Sequence, residues 1–413
     1  MQQSRIYGLD ESLFVRAGPY KHKIWSLSAN QGPDHATLAR FRQRHEQAIA
    51  ELFGQVLGLC VDAALIDTTV ISIDGTKMEA NASAWSNRTR RQLAEEILAE
   101  ANRVDNEEDE RFGDLAGNEL PERFAPGADR RARVREALRQ LEAQGASDYE
   151  AHLADRTARE SAAGRKLPGR KPTPGGKKGR QRLANTTDPD SRMLRARNRF
   201  VQGYNAQTAV RADQVIVAAE VTNAAHDSTM FDPMVRATED NLTHVGAEAA
   251  GAFAADTGYW NVENVTIDTP SEVLIPPMPA TNAEITDPDD PRIAKRDMVL
   301  GRVEAGELTI KDAAREMGVS ANWASKLLAD RREGRADPAV LRKRMLDRLA
   351  SDEGKAAYRK RKITTEPVFG NIKANLRCRR FSRRGLQATS SEWRQICAVH
   401  NLLKVRSARL VAA

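Results

Sequence analysis

The fold is decided by the stretch Thr68-Thr69-Val70-Ile71-Ser72-Ile73-Asp74-Gly75-Thr76-Lys77. Its β-branched residues predict a buried strand, and Asp74 stands at the predicted end of that strand, directly before a glycine. Asp-Gly is also a common turn signal. The acid therefore has two interpretations, as a turn former and as a functional side chain at the edge of a sheet.

Further strands are predicted along the chain from the same kind of pattern. Residues 200–210 and 214–222 indicate a hairpin. A short apolar run beginning at Ala252 then ends in Asp256, again followed closely by glycine, and residues 272–277 suggest a last short strand. Together with the helix patterns described below, these strands predict an α/β fold.

A third acid, Glu366, lies in the most basic part of the chain. Between Lys355 and Arg384 there are eleven Lys or Arg residues and this single acid. At about 100° per residue, a helix would place Glu366, Lys373 and Arg377 on one face. A separate apolar stripe would be formed by Val368, Phe369, Ile372 and Leu376.

Pro367 affects where that helix is expected to begin. Proline suits the first helical position and disfavours a helical conformation in the residue before it. The sequence therefore predicts that Glu366 lies at the start of the helix or just above a kink. A solvated helix carrying an incidental glutamate is the alternative interpretation.

Charge is distributed very unevenly over the 413 residues, whose net charge is +7 and whose pI is about 9.3. Residues 94–122 carry eleven acids against two bases, and residues 165–182 carry eight bases and no acid. Basic blocks beside a folded core favour a polyanionic partner, with nucleic acid as the leading candidate. No apolar run predicts a membrane span or a signal peptide, so we expect no membrane association and a cytoplasmic protein.

Two regions are predicted to be insertions in the core. Residues 85–197 contain two charged helix patterns, at 88–110 and 130–144, followed by a Pro- and Gly-rich basic linker. Residues 309–330 indicate a short helix ending at Gly318 and a second helix capped by Ser320, which is typical of a helix-turn-helix. An ordinary helical hairpin is the alternative for this second region.

Asp74, Asp256 and Glu366 share a position at the end or start of a predicted element, and one sheet could bring them together. Clustered carboxylates repel one another unless cations neutralise them, and oxygen ligands suit Mg²⁺ or Mn²⁺. Two such ions roughly 3.5–4 Å apart support in-line phosphoryl transfer. The three acids are therefore candidate catalytic residues and metal ligands, and Lys373 is a candidate contact for a phosphate.

Over residues 29–85 and 185–405 the sequence resembles the DDE transposases of bacterial insertion sequences. The resemblance is carried by Gly32-Pro33-Asp34-His35, Ile73-Asp74-Gly75-Thr76-Lys77, Gly203-Tyr204-Asn205-Ala206-Gln207, Ala255-Asp256-Thr257-Gly258-Tyr259 and Glu366-Pro367-Val368-Phe369-Gly370-Asn371-Ile372-Lys373. It implies a ribonuclease H-like core, a mixed sheet flanked by helices, in which Asp74, Asp256 and Glu366 form the catalytic triad.

The family's Tyr, Arg, Glu and Lys signature has counterparts in Tyr358, Arg361, Glu366 and Lys373. The interval from Arg361 to Glu366 is one residue longer than the usual form, and Lys362 fits the register from the other side. Contacts to DNA phosphates are expected from Tyr358, Arg361, Lys373, Arg377, Arg379 and Arg380.

The resemblance also implies a domain plan. It consists of an N-terminal helical region (1–62), a ribonuclease H-like core (63–84, 198–290 and 350–408), a helical insertion with a basic linker (85–197) and a helix-turn-helix-like insertion (301–335). Members of the family carry a longer region before Gly32, so we expect part of an N-terminal DNA-binding module to be missing.

The expected function is that of a transposase working with two Mg²⁺ or Mn²⁺ ions. It would bind the terminal inverted repeats of its element, cleave the 3′ ends and join them to target DNA, as a homodimer on DNA in the bacterial nucleoid. Two alternatives stay open at this point, a related metal-dependent nuclease that cuts without joining and a DNA-binding protein that has lost catalysis.

Overall fold

The chain folds around a six-stranded mixed sheet. The computed structural model describes residues 40–41, 44–65, 67–99, 103, 128–163, 166, 183–196, 199–278, 290–332, 334 and 337–412. The strands are β1 (Val70–Glu79), β2 (Asn87–Thr89), β3 (Leu183–Asn185), β4 (Arg192–Ala196), β5 (Arg199–Arg211), β6 (Ile216–Thr222), β7 (Ala252–Ala254) and β8 (Glu272–Leu274). Strands β2 and β3 form a separate two-stranded ribbon.

The main sheet has an antiparallel half and a parallel half that meet at β1. Its order is β4-β5-β1-β7-β8, and β6 pairs with β5. β1 is antiparallel to β5 and parallel to β7, and β7 is parallel to β8. The predicted α/β class with a mixed sheet is confirmed, and the arrangement is compatible with a ribonuclease H-like fold.

β1 is longer than predicted, so Asp74 does not lie at the end of its strand. The strand continues to Glu79 because β5, with 13 residues, supplies antiparallel partners as far as Gly203. The parallel partner β7 is much shorter and its pairing stops at Ser72. Asp74 therefore lies just beyond the point where the parallel half of the sheet ends.

Helices cover both faces of the sheet. They are α1 (Glu46–Asp62), α2 (Ala128–Ala163), α3 (Phe231–His244), α4 (Val262–Val265), α5 (Pro291–Glu304), α6 (Ile310–Met317), α7 (Ala321–Arg332), α8 (Pro338–Ala350), α9 (Asp352–Gly370) and α10 (Leu386–Ala412). On one face, Ile71 and Ile73 of β1 pack in a buried cluster with α3. On the other face, Val368 and Ile372 pack with Trp393 of α10. None of the helices described here is both long and apolar enough to cross a membrane.

Between β1 and β4 the chain makes helices and the β2–β3 ribbon. The charged helix predicted from Arg88 begins later, since residues 87–89 form β2 and residues 90–99 are helical. The helix predicted at 130–144 extends over all of α2 and packs against Leu93 through Val134 and Ala137. The basic linker, apart from residue 166, and the residues before 40 lie outside the part that the structure describes.

Glu366 was predicted to lie at the start of a helix, but it lies near the end of α9. The helix begins at Asp352, where the Ser351 hydroxyl accepts a hydrogen bond from the Gly354 amide, and Pro367 lies inside it. Proline removes one hydrogen bond to the preceding turn without preventing the helix upstream. Glu366 therefore lies within α9, on its exposed surface.

The end of this helical segment also differs from a uniform helix. Asn371–Asn375 form a π-helical turn, and the Leu376 amide donates to the Asn371 carbonyl. Arg377 follows with a φ of 56°, in the left-handed region. The predicted common face of Glu366, Lys373 and Arg377 is therefore wrong, because the π turn changes the phase and Arg377 lies beyond the helix. The predicted apolar stripe is confirmed in the buried cluster.

Candidate active site

Asp74 lies where strand β1 passes beneath α9. Its Oδ1 accepts a hydrogen bond of 2.8 Å from the Gly75 amide, and its Oδ2 accepts one of 3.0 Å from the Thr365 hydroxyl. Burial raises the pKa of this carboxyl, an effect that the positive charge of Arg361 opposes and the negative charge of Asp256 reinforces. An ionised Asp74 carboxylate in this buried position therefore costs free energy unless a cation lies nearby.

Asp256 reaches the same place from β7. It follows the short buried strand and caps the 3₁₀ turn Thr257–Tyr259, where its Oδ1 accepts a 2.8 Å hydrogen bond from the Gly258 amide. Its other oxygen, Oδ2, faces Arg361, and its side chain is 44% exposed. The two predicted aspartates thus approach each other at the end of the parallel half of the sheet, although they are far apart in the sequence.

The guanidinium of Arg361 lies between the two aspartates. Its Nη2 is 3.1 Å from Asp74 Oδ2 and 3.6 Å from Asp256 Oδ2, and its side chain is only 12% exposed. Both carboxylates therefore share one nitrogen of a largely buried cation. Arg361 was predicted as a DNA contact, and the structure places it on the carboxylates of the site.

α9 is held against one face of β1 by a ladder of polar contacts. Three alternate residues of the strand contribute, because side chains two apart point the same way. The Thr364 hydroxyl donates to Ser72 Oγ at 3.0 Å, and Thr365 donates to Asp74. The Lys373 ammonium donates to the Thr76 hydroxyl at 2.5 Å, and also to the Lys77 carbonyl at 3.1 Å. These contacts fix where α9 lies above Asp74.

Glu366, the third predicted acid, follows directly after Thr365. It lies on the exposed side of α9, whereas Thr365 is buried against β1. Within the described part of the chain, no group of three or more His, Cys, Asp or Glu side chains is arranged to hold a metal ion. The structure therefore brings Asp74 and Asp256 together and leaves Glu366 outside that pair.

The predicted DNA contacts fall into two groups. Tyr358 and Lys373 are partly buried, and burial raises the pKa of Tyr358 and lowers that of Lys373. Arg377, Arg379 and Arg380 are exposed beyond the end of α9. Arg380 Nη2 is 3.0 Å from Glu79 Oε2 at the end of β1, so this exposed group lies beside the strand that carries Asp74.

Asp227 is a further acid beside this pair that no sequence motif identified. It follows β6 in a loop, and its Oδ1 accepts hydrogen bonds from Asn205, Gln207 and Lys77. The signal for it was indirect. Asn205 and Gln207 occupy alternate positions of a central strand, and buried amides in such a place need polar partners.

The carboxylate pair fits a divalent cation by its chemistry. Oxygen ligands are those that Mg²⁺ and Mn²⁺ prefer, and Mg²⁺ is commonly held by one or two carboxylates together with phosphate oxygens. A cationic group, Arg361, already lies between these two carboxylates. The donor set on Asp74 and Asp256 is thus one that attracts positive charge.

The fold and the site define an α/β protein whose mixed sheet carries two acids at the end of its parallel half, compatible with the ribonuclease H-like class. Residues 329–406 match a protein family described as Transposase DDE domain. The similarity to DDE transposases is confirmed over this segment, and the match supports a transposase. The segment includes Arg361, Glu366 and Lys373 but neither aspartate of the pair. Neither the curated proteins nor the solved structures yielded a match to this chain.

Proposed function

We propose that the chain is a metal-dependent DNA transposase that binds the terminal inverted repeats of its element, cleaves their 3′ ends and joins them to target DNA. The observation that carries this proposal is the convergence of Asp74 and Asp256 on one guanidinium nitrogen. Two acids from distant parts of the chain thus lie close together, and a phosphoryl-transfer site with metal ions needs carboxylate ligands that converge in this way.

Asp74 and Asp256 would hold the ions, and Glu366 would join them from the neighbouring helix. Mg²⁺ or Mn²⁺, two ions in this proposal, supply activation of the attacking oxygen and stabilisation of the leaving oxygen when bound. Thr365 keeps the Asp74 carboxylate oriented through its 3.0 Å hydrogen bond. Arg361, between the two carboxylates, would offset part of their negative charge.

DNA phosphates would be bound beside the acids by the cations that follow Glu366. Lys373 is anchored by Thr76 and by the Lys77 carbonyl, which directs its charge to the edge of the site. Arg377, Arg379 and Arg380 extend this positive surface past the end of α9. Contacts of this kind hold a nucleic-acid backbone without reading its sequence. A homodimer would bring two element ends together.

Sequence recognition is assigned in this proposal to the helices α5, α6 and α7. They have a buried cluster of their own that includes Val299, Ile310 and Leu327. Gly318 ends α6 with a φ of 70°, and the Ser320 hydroxyl accepts a hydrogen bond from the Trp323 amide at the start of α7. These features favour a helix-turn-helix whose second helix, α7, enters the major groove.

The proposal is tested by a cleavage and joining assay on element ends with Mg²⁺. The wild-type chain is expected to cut the 3′ ends and to join precut ends to target DNA. Asp256→Asn should lose both activities by at least ~100-fold, since metal ions contribute several kcal/mol to such reactions and 1.36 kcal/mol corresponds to a tenfold rate change.

Other outcomes of the same assay would identify the alternatives. Cleavage without joining of precut ends would indicate a related nuclease. Binding of element ends without cleavage by the wild-type chain would indicate a DNA-binding protein without catalysis. Equal cleavage by wild type and Asp256→Asn would contradict the assignment of the site.

A further inference from the structure

The loop after β6 supplies a carboxylate, Asp227, on the sheet face opposite to Asp74. Its Oδ1 accepts hydrogen bonds from Asn205 at 2.6 Å, Gln207 at 2.9 Å and Lys77 at 3.0 Å. Gln207 is paired in register with Gly75 and Asn205 with Lys77, so the donors come from two neighbouring strands. Asp227 is therefore the shared acceptor that joins β1 and β5 beside the site.

Gly75 allows Asp227 to lie against the backbone of β1, and Asp227 also lies within ordinary contact distance of Gly258 in the turn after Asp256. A β-carbon at Gly75, the residue after Asp74, would be 2.8 Å from Asp227 Oδ1. A β-carbon at Gly258 would be 2.9 Å from Asp256 Oδ1 and 4.0 Å from Asp227 Oδ2. One oxygen of Asp227 thus faces the strand of Asp74, and the other faces the turn that Asp256 caps.

The network continues from Asp227 to the turn after Asp256. The hydroxyl of Tyr259, which is fully buried, donates to Gln207 Oε1. The side-chain amide of Asn264 donates at 2.7 Å to the Tyr259 carbonyl and also at 2.7 Å to the Ser228 carbonyl, next to Asp227. The position of the Asp256 turn relative to β1 is consequently set through Asp227 and its partners.

Stability alone does not account for this network. A partly buried ion pair such as that of Lys77 with Asp227 contributes little net stability over apolar residues of the same size. Within the described residues, Asn205 Oδ1 is also buried without a hydrogen-bond partner, which is costly. A buried polar network that costs folding free energy and lies beside the two carboxylates indicates that it serves to fix their relative position.

We propose that Asp227 is a positioning residue that sets the separation of Asp74 and Asp256 and thereby the affinity of the pair for a divalent cation. This inference rests on the proposed function of the pair as a metal site. Partners behind metal ligands commonly change metal affinity by ~10–100-fold when they are removed. Asp227 would act in this way through Gly75, Gln207 and Tyr259, without touching the metal ion.

The test is a titration of the full chain with Mn²⁺, followed by electron paramagnetic resonance, for four variants. Asp227→Asn keeps the shape and removes the charge, and Asp227→Glu keeps the charge and moves the oxygens. Asp213→Asn is the matched control. Asp213 is 25% exposed and paired with a buried Arg211, much as Asp227 is 29% exposed and paired with Lys77. Asp256→Asn removes one carboxylate of the pair and shows how far Mn²⁺ binding depends on it.

Both Asp227 variants are expected to bind Mn²⁺ at least ~10-fold more weakly than wild type, by the magnitude usual for residues behind metal ligands. Asp213→Asn should bind as wild type does, even if its melting temperature falls as much as that of Asp227→Asn. Wild-type affinity in both Asp227 variants would overturn the inference and leave the proposed function intact. Equal Mn²⁺ binding by wild type and Asp256→Asn would instead overturn the proposed metal site, and this inference with it.

Discussion

Arg361 controls the electrostatics of the candidate site at the scale of single residues. Asp74 is buried enough for its pKa to be raised, and the guanidinium is the main influence that lowers it again. The same nitrogen also contacts Asp256. A cation placed between two carboxylates in this way offsets part of their mutual repulsion.

Replacing Arg361 is expected to change the pH dependence of cleavage. In Arg361→Gln the pKa of Asp74 should rise further, because burial still raises it and the opposing positive charge is gone. A protonated Asp74 cannot serve as a metal ligand, so activity should be lost at a higher pH than in wild type as the pH falls. The measurement is the acid limb of kcat/KM against pH, which reports ionisations of the free enzyme.

Lys360→Gln is the matched control for this experiment. It removes one positive charge from the same helix, but the Lys360 ammonium contacts the Thr69 hydroxyl at 3.3 Å and neither carboxylate of the pair. Its acid limb should coincide with that of wild type. An unchanged acid limb in Arg361→Gln would show that the guanidinium does not influence Asp74 in solution.

The sequence could predict some of these residues and not others, for a physical reason. Asp74 and Asp256 each follow an apolar run and precede a glycine closely, which is a local signal. Asp227 has no such signal, since its three donors come from strands that are distant in the sequence. The contact of Arg361 with the pair also depends on how α9 packs over β1, and helical spacing alone does not determine that.

At the scale of elements, the proposed reading of DNA by α7 depends on the side chains that this helix exposes. Its exposed residues include Asn322, Lys326 and Ala329, which follow one another at helical spacing. The one acid in this helix, Asp330, is 4% exposed and so adds little negative charge to that face. A helix that inserts into the major groove needs exposed side chains that are small, polar or basic, so that they can approach base edges without repelling phosphates.

Substitution of Asn322 is therefore expected to weaken specific binding. Asn322→Ala should cost about 1–3 kcal/mol on duplexes selected from a randomised pool and relax the preference at one base pair. The measurement is a competition binding assay at fixed salt. Lys295→Ala, on the exposed surface of α5, is the control and should change affinity only slightly. Equal effects of the two substitutions would contradict a reading role for α7.

Predictions of elements failed where tertiary partners override local rules. β1 extends past Asp-Gly because β5 continues to pair with it, although Asp-Gly alone favours a turn. Pro367 is accepted inside α9, where neighbouring apolar residues such as Val368 are buried in the core. The π turn at Asn371–Asn375 has no recognisable local pattern, so the orientation of Lys373 could not be predicted from spacing.

At the scale of the whole molecule, the strand pattern predicted five of the six strands of the main sheet, all except β4. The antiparallel pairing of β5 with β6 confirms the predicted hairpin, whereas the parallel pairing of β7 with β8 was not predicted from the strand pattern. The convergence of two acids at the end of the parallel half follows from that topology, because β1 and β7 are adjacent there. The match to a transposase domain lies in the C-terminal helices, of which α9 packs on β1 and β7 and α10 packs on β6.

The central claim, that Asp74 and Asp256 are ligands of a catalytic metal ion, is tested most directly by exchanging one ligand atom. Asp256→Cys replaces a hard oxygen by a softer sulfur, which favours Mn²⁺ over Mg²⁺. We predict that this variant fails to cleave element ends with Mg²⁺ and regains cleavage with Mn²⁺, whereas Asp256→Ser stays inactive with both ions. Cleavage by Asp256→Cys at the wild-type rate with Mg²⁺ would contradict the account.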